Sequence, residues 1–134
     1  MKKDIPFPPV EDVAVAIARK KNNVNNYDWY VFLINNNDIA LKNVLVSSKG
    51  YGYQEGKERK TSVLRHLISK LEPQSHTIIE PIDPAIFHLC NEFWVSYYIK
   101  KQIYDKKFIF VPESIVEKNL INIPQLNLEG ILHE

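Results

Sequence analysis

Between Tyr27 and Ile34 every residue except Asp28 is aromatic or aliphatic. At period two, Trp29, Val31 and Leu33 share one face, and Tyr30, Phe32 and Ile34 share the other. Bulky and β-branched side chains suit a pleated surface, and apolar residues on both faces require cover on both sides. This run therefore specifies a strand inside a sheet. It leaves the rest of the chain to supply the layers on either side.

The neighbouring segments have the right pattern. Val13, Val15 and Ile17 alternate with Ala14, Ala16 and Ala18, a second strand with one large and one small face. Lys20-Lys21-Asn22-Asn23-Val24-Asn25-Asn26 and Asn35-Asn36-Asn37-Asp38 are turns, because asparagine and aspartate tolerate left-handed backbone and bond to it locally. Leu41–Ser48 reads as the next strand, with Val44 and Val46 inward. Residues 49–57 hold three of the four glycines and read as a loop or hairpin tip.

Residues 61–71 fit two templates. Val63, Leu64, Leu67, Ile68 and Leu71 make a helical stripe capped by Thr61 or Ser62, and they also fit a strand with apolar neighbours on both sides. The period-two segments around them favour strand. Thr77–Glu80 is a short strand stopped by Pro81, and Asp83-Pro84 is a cap followed by proline at the first helical position, predicting a helical turn near 84–89. Phe93–Ile99 is a strand with Phe93, Val95, Tyr97 and Ile99 inward, and Ile103–Val111 pairs back on it. From 112 to 134 the chain is less periodic but still aliphatic, so it packs on its own domain or on a partner.

The fold class that follows is all-β: an antiparallel β-sandwich of immunoglobulin-like or fibronectin-like type. The domain reading is a single domain over 1–134, with an extended proline-rich segment at 1–9, the sandwich at 10–111 and the tail at 112–134. At 134 residues such a domain buries roughly two-thirds of its unfolded surface and needs no disulfide or metal to hold it.

Charge and cysteine content narrow the function. Seventeen basic and sixteen acidic residues give +1 at pH 7, which excludes a large basic field but not a local patch. A single cysteine, Cys90, excludes an internal disulfide and any zinc site needing two cysteines. No run is long and apolar enough for a secretory signal or a membrane helix, so a cytoplasmic location without membrane attachment is the simplest reading. The histidines at 66, 76, 88 and 133 are scattered, and no phosphate-binding loop, dinucleotide fingerprint or nucleophile elbow occurs. Neither a cofactor nor a metal is expected.

Three groups of residues remain as candidates. The first is a basic, tyrosine-bearing stretch: Tyr51, Tyr53, Lys57, Arg59, Lys60, Arg65 and His66, with Lys49 beside it. Cations interleaved with tyrosines can follow phosphates and stack bases, while Glu55 and Glu58 offset part of the charge. The second is Trp94 with Tyr98, opposite in parity to the Phe93–Ile99 core side. That face is either covered by the apolar tail or stands exposed as an interface. The third is His88 with Cys90, a possible thiolate–imidazole pair that lacks an evident orienting residue.

Several stretches together resemble a family of small bacterial proteins of nearly this length. They are Leu33-Ile34-Asn35, Asn43–Gly52, Leu64-Arg65-His66, Ile79–Ile82, Asn91–Ser96 and Tyr104–Val111. The resemblance covers most of the chain. That family commonly carries the label phenylalanyl-tRNA synthetase alpha subunit, which implies an association with tRNA. The catalytic subunit of that synthetase needs an arginine-bearing strand motif and a glycine-rich strand–helix motif. Here Gly50-Tyr51-Gly52 runs instead into the polar Tyr53-Gln54-Glu55-Gly56, so ligase activity is not expected. The function expected is a non-enzymatic interaction module for an unknown protein partner, with a homodimer through the tail as one form. The rival is a nucleic-acid or tRNA-associated accessory protein.

Overall fold

The computed structural model describes residues 8–134. Most of the expected extended segment at 1–9 lies outside that range. The regular structure is almost all strand: β1 (Val13–Lys21), β2 (Tyr27–Asn35), β3 (Leu41–Gln54), β4 (Lys57–Lys60), β5 (Leu64–Leu71), β6 (Ser75–Pro81), β7 (Cys90–Ile99), β8 (Gln102–Phe110), β9 (Ile121–Ile123) and β10 (Leu128–His133). Two single 3₁₀ turns, Pro84–Ile86 and Glu117–Asn119, complete it. The first has the expected cap, with Asp83 Oδ1 accepting from the Ala85 N–H at 2.9 Å and proline at the first position.

The strands form two antiparallel sheets. One has the order β6-β2-β1-β10-β9; in the other, β4 and β5 pair with successive parts of β3, which is followed by β7 and β8. Between them lies one core. Val15, Ile17, Val31 and Leu33 of the first sheet meet Val44, Val46, Phe93, Val95, Tyr97 and Phe108 of the second, all buried. The inward residues expected of β3 and β7 are thus the observed ones, Ile99 being half-buried but packed against this core.

The opposite face of β2 is also buried, as its sequence demands. Phe32 and Ile34 pack with Ala14, Ala16 and Ala18 of β1 under Ile123, Leu126 and Leu128. Those covering residues come from the tail. Residues 112–134 supply β9 and β10, and β10 is inserted between β1 and β9 in register Val15↔His133 to Arg19↔Glu129. Short-range periodicity does not reveal this, since β9 has only three residues and the pairing partner of β10 lies at the other end of the sequence. Gly130 makes the insertion possible. A Cβ there would fall inside the van der Waals shell of the Ile17 carbonyl and 2.7 Å from Ala18 Cα.

Residues 64–71 are strand, which decides the ambiguous segment. Of the two readings of 49–57, the hairpin tip is the observed one, with the end of a 14-residue β3 and the start of β4 paired across it. Glu55 and Gly56 both have positive φ, 53° and 76°, the signature of a two-residue type I′ hairpin. That turn matches the strand twist, so the ladder runs to the tip and no loop is needed.

Candidate functional site

The register of β3, β4, β5, β7 and β8 decides which candidate residues meet. Side chains alternate across a sheet, and cross-strand partners share a face. Val46, Phe93 and Val95 point into the core, so Ser47, Trp94 and Lys107 point outward as one row, joined by Arg65 opposite Ser47. The next row toward the hairpin holds Lys49, Glu92 and Ile109. Continuing along β3, Tyr51 and Tyr53 lie on the same side, with Lys60 across from Tyr51. In the other direction lie Leu45 with Leu67, then Tyr98.

Tyr51, Tyr53, Lys60, Arg65, Trp94 and Tyr98 therefore form one outer face. Lys57 and Arg59 alternate to the opposite side of the hairpin, across from Gln54 and Gly52. His66 points inward at the rim, where its Nε2 lies 2.6 Å from Glu80 Oε1. Ser48 Oγ donates to the same carboxylate at 2.8 Å. These bonds join β3 and β5 of one sheet to β6 of the other. The carboxylate stands between hydroxyl and imidazole, so the serine is not set against a base as nucleophilic catalysis would need. The basic stretch read as one group from sequence is thus divided three ways by the pleat.

The outer face is exposed. Trp94 is 46% and Leu67 76% accessible, with Tyr98 and Leu45 also exposed. The tail does not cover it, because β9 and β10 belong to the other sheet. A depression of about 330 Å³ opens beside Trp94, bounded by Ser47, Lys49, Val63, Arg65 and Glu92. Lys107 Nζ lies 5.6 Å from the Trp94 ring centroid, within cation–π reach. Glu92 is nearly buried; it accepts from the Tyr51 hydroxyl at 3.1 Å and faces Lys49 Nζ at 3.8 Å. Burial pushes the Tyr51 phenol up, and its bond to Glu92 adds to the shift. The depression thus has an aromatic wall, cations on both flanks and a carboxylate already satisfied.

Sequence reasoning singled out neither Leu45 and Leu67 nor Lys107 as part of this face. Their signal was the register with Trp94, which pairing alone reveals. Thr61 sets the geometry where β4 gives way to β5. Its hydroxyl accepts from the Gly50 N–H at 2.7 Å and its own N–H donates to the Gly50 carbonyl at 2.9 Å.

The His88–Cys90 pair does not assemble. His88 is exposed, Cys90 is half-buried at the start of β7, and no hydrogen bond joins the thiol to an imidazole among the described residues. No group of three or more potential metal ligands occurs among those residues either, and no helix among them is long and apolar enough to cross a membrane. Comparison with protein-family models, curated proteins and solved structures finds no match.

Proposed function

We propose that the chain is a non-enzymatic, protein-binding module whose docking surface is the outer face of the β3–β7 sheet, centred on Trp94. The observation that carries the reading is an asymmetry between the two sheets. The tail buries Ala14, Ala16, Ala18, Phe32 and Ile34 on the outer face of one and leaves Ile78 at its edge half exposed, while Trp94, Leu67, Leu45 and Tyr98 stand exposed on the other. Exposed apolar residues gathered around one tryptophan and rimmed by charge mark interaction surfaces, and tryptophan, tyrosine and arginine dominate binding hot spots. Covering a leucine such as Leu67 contributes about 1.5–3 kcal/mol.

The strand order supports an immunoglobulin-like sandwich as the scaffold. β1, β2 and β6 lie together in one sheet and β3, β7 and β8 in the other, the alternation of a Greek key, with β9 and β10 added beyond β1. A cytoplasmic role without membrane attachment, in a bacterium as the family resemblance implies, goes with this reading.

The rival is a tRNA-associated accessory protein. It draws on Lys57, Arg59, Lys60 and Arg65, but the pleat sends Lys57 and Arg59 away from Arg65 and Trp94. Isolation of the tagged full chain from the cells that make it, with and without nuclease and at low and moderate salt, separates the two. A protein that survives nuclease, is lost with Trp94→Ala and Leu67→Ala, and is kept with Lys57→Ala and Arg59→Ala supports the docking face. Co-isolated RNA that falls away steeply with salt and with Lys57→Ala and Arg59→Ala overturns it.

A further inference from the structure

β5 pairs with β3 on one side only, and among the described residues no other strand bonds to it, Asn35 Nδ2 reaching only the Leu71 carbonyl at its end. The remaining sheet edges are shorter or covered. β9 has three residues and β4 has four, and β6 has seven and ends in Pro81, which has no N–H to donate. β8 carries the charged run Asp105-Lys106-Lys107, and the end of the chain lies against it, with Lys106 Nζ donating to the Glu134 carbonyl and His133 packed on Phe108 and Phe110. β5 is the contrary case. Eight residues long, it carries Leu64 and Leu67 at 48% and 76% exposure, with Val63 just before it. An apolar, unpaired edge is the form of strand that accepts another.

We infer that β5 is a strand-addition site for an extended, acidic and aliphatic segment of the partner protein. The inference rests on the reading of the Trp94 face as a protein-docking surface, and it names how the partner attaches there. Charge selects the occupant. From 57 to 72 the chain has five basic and two acidic side chains, a local excess of three where the whole chain has an excess of one; Lys57 and Arg59 of that stretch belong to β4 and face the other side of the hairpin. Arg65 and Lys70 are exposed on β5 itself, Lys70 lying 3.4 Å from Glu72 and Arg65 in no ion pair among the described residues. A strand laid about 4.8 Å beyond β5 places alternate side chains on the outer face, next to Arg65 and Leu67, and the others inward, next to Leu64 and Ile68. The matching segment carries aspartate or glutamate near Arg65 and Lys70 and aliphatic residues near the leucines. The eight residues of β5 offer about 26 Å of ladder. The His66–Glu80 bond holds β5 to β6 of the opposite sheet, and the Ser48–Glu80 bond holds its neighbour β3 to the same carboxylate, so the edge is presented already in place. Because the added strand continues the sheet, its outward side chains extend the surface on which Trp94 stands.

The test uses the full chain, isotope-labelled for amide hydrogen exchange, and three capped eight-residue peptides. One carries glutamate at the positions beside Arg65 and Lys70 and valine or leucine at the others, one has lysine for glutamate, and one is the acidic peptide N-methylated at alternate amides. The acidic peptide is expected to slow exchange of β5 amides at least tenfold and to bind at least tenfold more tightly than the lysine peptide. Arg65→Glu should reverse that preference, and the N-methylated peptide should not bind. Should Arg65→Glu fail to fold, the charge swap in the peptide carries the same comparison. Protection at β6 or β8 in place of β5 overturns the proposal, as does equal binding of the N-methylated peptide. Protection of β5 that rises with protein concentration alone overturns it in favour of a second copy. Displacement of the acidic peptide by oligouridylate overturns it in favour of nucleic acid. If Trp94→Ala abolishes capture of a native partner while no peptide protects β5, the docking face stands and the strand-addition site falls. If the peptide protects β5 but native capture is indifferent to Trp94→Ala, the docking face is the reading that fails.

Discussion

Tyr97 is almost wholly buried and stacks on Tyr104 with ring centroids 5.3 Å apart. Burial raises its phenol far above the ordinary value, with the Tyr104 phenol adding to the effect. A raised folded-state pKa means that the stabilisation is complete below the unfolded value near 10 and is lost as pH rises through the folded one. Above pH about 10 the unfolded chain releases this proton and the folded chain keeps it, so stability falls by about 1.4 kcal/mol per pH unit from this residue alone. Urea titrations at pH 9, 10 and 11 should show that decline, and Tyr97→Phe should flatten it. Asn35 is a second single-residue control point. Fully buried, it donates from Nδ2 to the carbonyls of Ile39, Leu71 and Glu72 and accepts from the Asn37 N–H, tying the β2–β3 turn to the β5–β6 turn. Asn35→Ala leaves these groups without their partner and should cost about 1–3 kcal/mol in denaturant unfolding.

At the scale of elements, β10 is the most constrained. Gly130→Ala places a methyl against the backbone of Ile17 and Ala18, which cannot yield as a flexible side chain would. The substitution should destabilise the fold by about 1–3 kcal/mol, with faster amide exchange in β1 and β10 than in β7. Arg19 locks the same region, reaching Glu129 at 2.7 Å and Glu117 at 3.0 Å. The elements show what a local pattern can and cannot convey. Tyr27–Ile34 was legible because both of its faces are apolar, and the Asp83-Pro84 cap because its chemistry is complete within four residues. β9 and β10 were not, since their apolar residues acquire meaning only from Ala14, Ala16 and Ala18 across the sheet. The hairpin at 55–56 was half legible: glycine marked the turn, but the positive φ of Glu55 that lets the ladder continue is invisible in composition.

For the molecule as a whole, the two sheets divide the work. One has its outer face covered by the tail around Phe32 and Ile34; the other has one face buried and one exposed. Mutations should divide the same way. Trp94→Ala, on the exposed face, should change unfolding free energy by less than about 1 kcal/mol while abolishing partner capture, as denaturant titration beside pull-down would show. The site was legible to the same partial degree. Alternation with Phe93, Val95 and Tyr97 placed Trp94 and Tyr98 together, and Arg65 was named for its charge. That Arg65 and Trp94 share a row across Ser47, while Arg59 turns away, depends on two registers no linear reading contains.

The insertion of β10 beside β1 also sets an order in time. One edge of β1 must wait for a strand that is synthesised more than a hundred residues later. At roughly 5–20 residues per second that delay is on the order of ten seconds. Throughout it, Val13–Ala18 presents an apolar strand edge in a growing chain. This segment is where a chaperone would hold the nascent protein. A ribosome stalled before residue 128 would leave β1 open to pairing with the wrong strand.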